Sequence, residues 1–289
     1  MSAAELLPQY AFADQIAAAL SQDSRVRAVW LEGSLGREQG DRHSDVDLHI
    51  ALNAEDLIEF RANYEAFLNR IQPVLKHHKM FGAMDGSILT DPHGRLNLLQ
   101  TWFDSKAELK ISKGRTRVLF DRDSHLEHIA PIAPTSEELS RALHVEICYF
   151  WSLLAELPSI ERGELLAASH RLYLQVDQIT FVHALGRGRL RDVGDWRLNE
   201  LLETHERQQL EQVMSLPDFS MASVVSAHMN LAQIMRVAGR QACVYQNATY
   251  PEVLEKAVLK HVSKELQRMG FSVETLQNTM FPEKLEVIL

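Results

Sequence analysis

Apolar residues recur along the first half of the chain with two different periods. In segments 10–22 and 54–75 they lie three and four positions apart, as on one face of a helix. Segment 26–34 is rich in β-formers, and segment 46–52 alternates apolar and polar residues as a strand with one buried face does. Four short strand-like segments, separated by Gly, Pro and Asp turns, follow to about residue 130. The pattern predicts a mixed domain of helices and strands.

The second half of the chain has helical periodicity almost throughout. It opens with APIAPTSEEL, in which Thr135 and Glu138 have the spacing of a capping box at a helix start. Five helical segments follow, at 136–157, 164–186, 195–214, 219–245 and 252–269. We therefore predict an α+β fold. A small mixed β-sheet domain with flanking helices occupies 1–133, and an all-α helical bundle for substrate binding or dimerisation occupies 134–289.

Composition narrows the class of protein. The chain is 46% hydrophobic and 24% charged, which is typical of a soluble globular protein, and its net charge of -9 disfavours a nucleic-acid partner. Cys148 and Cys243 lie in apolar helical segments without metal or disulfide spacing, so we expect buried free thiols in a reducing compartment. We see no signal peptide and no apolar run of membrane-spanning length. A cytoplasmic protein without membrane contact is expected.

The candidate chemistry lies in residues 33–50, GSLGREQGDRHSDVDLHI. Residues i and i+2 share one face of a strand, so Asp45 and Asp47 project side by side. Two adjacent carboxylates repel each other unless a cation lies between them, and Mg²⁺ is often held by one or two carboxylates together with substrate phosphates. A tight turn at Gly33 and Ser34 can offer backbone N–H groups and a hydroxyl to phosphate oxygens. The stretch therefore predicts a site for Mg²⁺ and phosphate.

Gly-Ser, ten further residues and then Asp-x-Asp resembles the signature of the nucleotidyltransferase superfamily, which has the polymerase-β-like fold. A short α/β domain followed by a helical bundle is similar to the layout of the antibiotic-modifying members, the aminoglycoside and lincosamide nucleotidyltransferases. The order of the later segments looks most like the two-domain lincosamide enzymes; these segments are 93–99, 118–123, 148–168 and 195–203. The chain lacks GxxxxGK[ST] and GxGxxG, which disfavours ATPase, kinase and dinucleotide-binding functions.

The resemblance implies Mg²⁺-dependent transfer of a nucleoside monophosphate from a triphosphate such as ATP to a hydroxyl of a small molecule, with release of pyrophosphate. It implies that Asp45 and Asp47 are catalytic metal ligands. Ser34, with the turn at Gly33, would hold the β- and γ-phosphates. Arg37 could add a bidentate phosphate contact, and an exposed loop arginine is the equal alternative. The acceptor class suggested is an aminoglycoside or lincosamide antibiotic, and a homodimer is a further implication.

Many members of this family carry a third carboxylate on a neighbouring strand, which we place in segment 95–103. Asn97 stands at the position where we expect the acid, and Arg95 on the same face is not acidic either. An asparagine can ligate a metal through its carbonyl, but it cannot act as a base near neutral pH. This departure bears on the transfer step and not on nucleotide binding.

Three alternatives for the missing group stay open. Glu146, early in the first helix of the second domain, resembles a glutamate that serves as the base across a dimer interface in the family; a surface glutamate paired with a cation is the alternative. Asp85 or Asp91, which flank segment 86–90, could approach the site, although such residues more often form turns. The third alternative needs no strong base, because a loose transition state gains mainly from positioning and electrostatics.

Three histidines lie in or near the predicted strands. His49 shares the face of the aspartates, whereas His77 and His78 are adjacent and must face opposite ways, as on an exposed strand edge.

A non-catalytic nucleotide-binding regulator or antitoxin-like protein is the main alternative function. A protein-modifying adenylyltransferase, which needs a more open cleft, is the other. The motif selects neither the acceptor nor the nucleotide base.

Overall fold

The structure is a computed structural model that describes residues 7–80, 82–104, 109–112, 115–124, 126–129, 134–190 and 195–271. The chain divides into two compact units, Met1–Ile132 and Ala133–Leu289. The division lies one residue from the predicted boundary. The predicted α+β class is confirmed, since a mixed sheet is followed by a helical unit.

The first unit contains the strands. Their bounds are β1 (Val26–Leu31), β2 (Val46–Leu52), β3 (Val74–Lys79), β4 (Met84–Thr90), β5 (Leu96–Asp104), β6 (Leu109–Ser112), β7 (Arg117–Asp121) and β8 (Leu126–Ile129). A six-stranded sheet has the order β3-β4-β5-β2-β1-β7, in which β2 and β5 run parallel and the other pairs run antiparallel. Strands β6 and β8 form a separate parallel pair.

Four helices accompany this sheet; they are α1 (Pro8–Leu20), α2 (Gly33–Gly36), α3 (Leu57–Ala62) and α4 (Tyr64–Leu68). The main core of the unit joins α1, α3 and α4 to one face of the sheet. Val46, Leu48 and Ile50 of β2 are fully buried in that core, as the alternation predicts. The intervening residues of β2 must therefore face the other side of the sheet. That side carries the candidate site.

The second unit is helical. Its helices are α5 (Ser136–Ala155), α6 (Pro158–Glu161), α7 (Leu165–Gly186), α8 (Thr204–Met214), α9 (Met221–Tyr245) and α10 (Glu252–Arg268). The capping box predicted at Thr135 and Glu138 is confirmed. The single helix predicted over 195–214 is wrong, because a 3₁₀ turn at Asp195–Glu200 precedes α8. Glu203 and Glu206 form a capping box there that starts a new helix. None of the helices described is both long and apolar enough to cross a bilayer.

The two cysteines differ in burial. Cys243 is a buried free thiol, as predicted, whereas Cys148 is only partly buried and its Sγ lies 3.5 Å from His144 Nε2. The expectation of burial is therefore wrong for Cys148. Burial raises the pKa of both thiols, so neither is activated as a nucleophile in this setting.

Glu206 gives the second unit a defined dependence on pH. Its carboxylate lies 2.7 Å from both His183 Nδ1 and Arg187 Nη1. Burial by itself raises the pKa of Glu206, but the hydrogen bonds from His183, Arg187 and the Glu203 N–H outweigh it and hold the pKa at about 2. Because this pKa is below the unfolded value, the stabilisation is complete above pH 4.5 and is lost as pH falls toward 2.

We expect the Glu206→Gln variant to be less stable than the wild type by about 2–3 kcal/mol at pH 7. The difference shrinks below pH 4.5, because the wild type then loses the same charge. Urea unfolding at pH 7, 4 and 2.5 measures it, with Glu164→Gln, an exposed glutamate of the same unit, as the control. A difference between wild type and Glu206→Gln that is constant over this range would contradict the assignment.

Candidate active site

Gly33 sits where the end of β1 meets the carboxylate pair. Its φ of +58° lies in the left-handed region, which L side chains rarely adopt. A Cβ atom built on Gly33 would lie only 1.8 Å from Asp47 Oδ2, so the carboxylate of Asp47 rests directly against the glycine backbone. Two independent constraints, the dihedral angle and the close approach, therefore require glycine at this position.

Asp45 and Asp47 lie at the start of β2, on the sheet face opposite the main core. The backbone carbonyl of Asp47 accepts a hydrogen bond of 3.0 Å from the Glu32 N–H, which holds the end of β1 beside the start of β2. Asp45 Oδ2 accepts a hydrogen bond of 2.8 Å from Gln100 Nε2 of β5. The structure thus brings the turn after β1 and both predicted aspartates together on one edge of the sheet.

Negative charge is concentrated at this edge. Burial raises the pKa of Asp47, the charges of Asp45 and Glu32 raise it further, and Arg37 lowers it, with a result of about 7. An aspartate with so high a pKa is costly to ionise unless a cation compensates it. No group of three or more His, Cys, Asp or Glu side chains converges as a metal site among the residues the structure describes. Two carboxylates nevertheless suit Mg²⁺, which commonly completes its shell with water and phosphate oxygens.

The nucleotide-binding predictions fall on the same edge. Ser34 follows Gly33 in α2, and both are partly exposed. Arg37 caps the end of α2, its charge acts on Asp47, and its Nε donates 3.1 Å to Gln39 Oε1. The guanidinium is thus a cation close to the pair and on the side of the Gly33 turn. Its contact with a phosphate remains a prediction.

The expectation for Asn97 is corrected. Asn97 is buried and its Nδ2 donates 2.8 Å to Gln72 Oε1, so it faces the core side of β5. Gln100, three residues further on, has the opposite orientation and pairs in register with Asp47. The residue of β5 that reaches the carboxylate pair is therefore a glutamine, and its amide donates to Asp45.

Neither aspartate proposed as a substitute base in this unit reaches the pair. Asp85 is fully buried on the core side, where it accepts two hydrogen bonds from Arg61, at 2.9 and 2.6 Å. Asp91 accepts the backbone N–H groups of His93 and Arg95 at 2.8 Å each and so forms a turn. Glu146 lies partly buried on α5 of the second unit, and its catalytic role remains a prediction.

An aromatic stack borders the pair, and sequence reasoning did not find it. The His49 ring lies between Trp30, with centroids 5.1 Å apart, and Trp102, at 4.8 Å. Trp30 Nε1 donates 3.1 Å to Glu32 Oε1, and Glu32 Oε2 lies 3.8 Å from His49 Nε2. Burial lowers the pKa of His49, which favours the neutral ring. Trp30, shortly before the Gly-Ser turn, and Trp102 on β5 were the residues in the sequence from which this stack could have been predicted.

The adjacent histidines divide between the two faces of β3, as predicted, but the expectation that both lie on an exposed edge is wrong for His77, whose side chain is mostly buried. His77 Nδ1 is 2.9 Å from Ser87 Oγ and its Nε2 is 3.5 Å from Asp85, on the core side. His78 is exposed and its ring lies over Gly86 on the face of the site. They do not form a metal pair.

Two solved structures are similar to this chain over most of their length. An aminoglycoside 6-adenyltransferase from Bacillus subtilis is 15% identical, with 87% of this chain and 96% of that chain covered and a TM-score of 0.37. The CdnE cyclic dinucleotide synthase of Elizabethkingia meningoseptica, solved with GTP and Apcpp, is 16% identical, with 92% and 94% covered and a TM-score of 0.29.

No protein-family model matches the chain, and no curated protein matches it.

Proposed function

We propose that this chain is a Mg²⁺-dependent nucleotidyltransferase that moves a nucleoside monophosphate from a triphosphate to a hydroxyl of a small molecule. The observation that carries the proposal is the Asp45 and Asp47 pair beside the Gly33 turn. Burial and the neighbouring acids raise the pKa of Asp47 to about 7, so the pair favours a bound cation. The partly exposed turn beside it leaves room for an anion on that cation.

Each residue of this edge has a role in the proposal. Asp45 and Asp47 hold Mg²⁺, and the Gln100 amide fixes the orientation of Asp45. Ser34 and the backbone at Gly33 hold the β- and γ-phosphates, and Arg37 supplies a positive charge to them. When bound, Mg²⁺ supplies charge that neutralises the phosphate oxygens during transfer.

The proposal also names a donor, an acceptor and a general base. ATP is the first donor to test, and lincosamide and aminoglycoside antibiotics are the first acceptors to test, because a short α/β domain followed by a helical bundle resembles the layout of the antibiotic-modifying enzymes. Glu146 is the proposed base that takes the hydroxyl proton, supplied within a homodimer. The protein would act in the cytoplasm.

A second candidate function is nucleotide binding without transfer. It is favoured by Gln100, since many members of the resembled superfamily carry an acid on the neighbouring strand, and a glutamine cannot take a proton near neutral pH. In this case the carboxylate pair still binds Mg²⁺ and a triphosphate. The two functions therefore differ only in turnover.

Calorimetric titration with ATP, GTP, CTP and UTP, each with and without Mg²⁺, tests the shared part of both functions. We expect saturable binding that requires Mg²⁺ and ranks the four bases. Release of pyrophosphate with a panel of lincomycin, kanamycin and other hydroxyl compounds then separates transfer from binding alone. Binding that is equally strong in EDTA would exclude the proposed role of the carboxylate pair.

A further inference from the structure

The site continues onto an open part of the sheet. Four residues are in register across four strands, in the order His78 of β3, Gly86 of β4, Gln100 of β5 and Asp47 of β2. Residues in register point to the same face, so the faces of β3, β4 and β5 that carry His78, Gly86 and Gln100 adjoin the carboxylate pair. We refer to this region as the β3–β5 face.

The order of the strands assigns this face to the acceptor. The proposed phosphate turn follows β1, the carboxylates lie on β2, and β5 lies on the other side of β2. In an in-line displacement the attacking oxygen enters opposite the leaving group. Because the pyrophosphate leaves on the Gly33 side, the attacking hydroxyl must come from the β5 side. The acceptor is thereby placed on the β3–β5 face.

This face is apolar where it adjoins the pair. Leu96 and Leu98 of β5 are 55% and 49% exposed, although they are large apolar side chains. Leu98 pairs with Ile88 of β4, which shares its face. Gly86 has no side chain, and the His78 ring and the Met80 sulfur lie over it. The result is a shallow apolar floor that suits the apolar body of a ligand.

The charge of this face is basic away from the carboxylate pair. Lys76 is exposed and pairs with Ile88, and His78 pairs with Gly86, so both point to this face. Asp85 of β4 points to the opposite face, into its ion pair with Arg61. Asp104 shares the face but lies at the other end of β5, four residues beyond Gln100.

We infer that the acceptor is a hydroxyl compound with an apolar body and an anionic group, rather than a polycation such as an aminoglycoside; the inference rests on the proposed transfer reaction and replaces its suggested acceptor class. The apolar body lies on Leu98 and Ile88, and the anionic group reaches Lys76. The hydroxyl oxygen forms a bond to the α-phosphorus, and the bond from that phosphorus to the bridging oxygen breaks. Pyrophosphate leaves with that electron pair, and the hydroxyl proton passes to Glu146, the base of the proposed function.

A charge series of small phenols tests this inference. 4-Hydroxyphenylacetate, its amide and tyramine share one apolar ring and one hydroxyl but are anionic, neutral and cationic. The protein is first saturated with Mg²⁺ and α,β-methylene-ATP, which fills the triphosphate site, and each phenol is then titrated by saturation-transfer NMR. We expect the anion to bind about two- to fivefold more tightly than tyramine, since partly exposed charge pairs have effects of this size.

Two lysines of the same strand provide a matched pair of variants. Lys76→Gln reduces the preference for the anion to nearly none. Lys79→Gln leaves it unchanged, because Lys79 pairs with Asp85 and so points to the other face of β3. Leu98→Ser weakens all three phenols by a similar factor. Circular dichroism verifies that each variant is folded.

Three results would overturn the inference: tyramine binding as tightly as the anion, no detectable binding of the anion, or equal effects of Lys76→Gln and Lys79→Gln. The initial binding of Mg²⁺ and α,β-methylene-ATP distinguishes a failure of the proposed function from a failure of the inferred acceptor class. If Mg²⁺ and α,β-methylene-ATP do not bind, the proposed function itself is wrong and the inference falls with it. If they bind and the charge order fails, only the acceptor class is wrong.

Discussion

The Asp47→Asn variant loses the binding of Mg²⁺ and triphosphate by at least about 100-fold, because even groups that merely support a metal ligand contribute about 10- to 100-fold to affinity. The asparagine keeps the shape of the side chain but removes one of the two charges that hold the cation. Calorimetric titration with Mg²⁺ and ATP measures the loss. Asp14→Asn, at an exposed position of α1, is the matched control and binds as the wild type does.

The same variant is expected to be more stable than the wild type when metal is absent. The pKa of Asp47 in the folded chain, about 7, lies above its unfolded value of 3.8. A raised pKa of this kind means that stability present below pH 3.8 is lost as pH rises through 7. Asp47→Asn avoids this loss, which is on the order of 1–3 kcal/mol for a partly exposed group.

Thermal unfolding in EDTA at pH 5 and pH 8 measures this second effect. In a parallel scan at pH 8 without EDTA, Mg²⁺ and triphosphate should raise the unfolding temperature of the wild type. They should change the unfolding temperature of Asp47→Asn only slightly. A variant that is less stable than the wild type at pH 8 in EDTA would show that Asp47 stabilises the fold. The view of the pair as a cation site would then be wrong.

Gly33→Ala has the second large effect, on binding and on stability together. The methyl group would fall 1.8 Å from Asp47 Oδ2, so either the turn or the carboxylate must move. The φ of +58° adds strain of about 1–2 kcal/mol for any residue with a Cβ. We expect lost binding of Mg²⁺ and triphosphate, together with a lower free energy of unfolding.

Gly94→Ala separates the two causes. Gly94 also has a positive φ, of +80°, but a Cβ built there meets nothing within 4 Å. This variant therefore carries the backbone strain without the clash, and it should bind triphosphate as the wild type does. If Gly33→Ala also binds like the wild type and the two variants lose equal stability, the contact between Gly33 and Asp47 has no functional role.

The pattern of apolar residues predicts which face is buried for strand β2 but not for strand β5. In β2 one set of alternate residues is wholly apolar and the other set begins with polar residues. The burial of Val46, Leu48 and Ile50 therefore places Asp45 and Asp47 on the opposite face. In β5 both sets contain apolar residues. Leu96, Leu98 and Trp102 alternate with Leu99 and Phe103, so periodicity alone does not identify the buried face.

The error at Asn97 follows from this ambiguity. A polar residue was expected on the face of the site, but Gln72 provides Asn97 with a partner inside the core. Asp85 is buried for a similar reason, since Arg61 compensates its charge. Both partners are distant in sequence, and a buried polar group is tolerated only when such a partner is present.

Local rules determined the parts of this protein that depend on neighbours in sequence. The common face of the two aspartates and the capping box at Thr135 follow from dihedral preferences and from the two-residue period of a strand. Tertiary structure alone decided which residue of β5 meets the pair, that Asp47 rests against Gly33, and that His49 lies between two tryptophans. These features depend on strand register and on partners far apart in the chain, which no local period specifies.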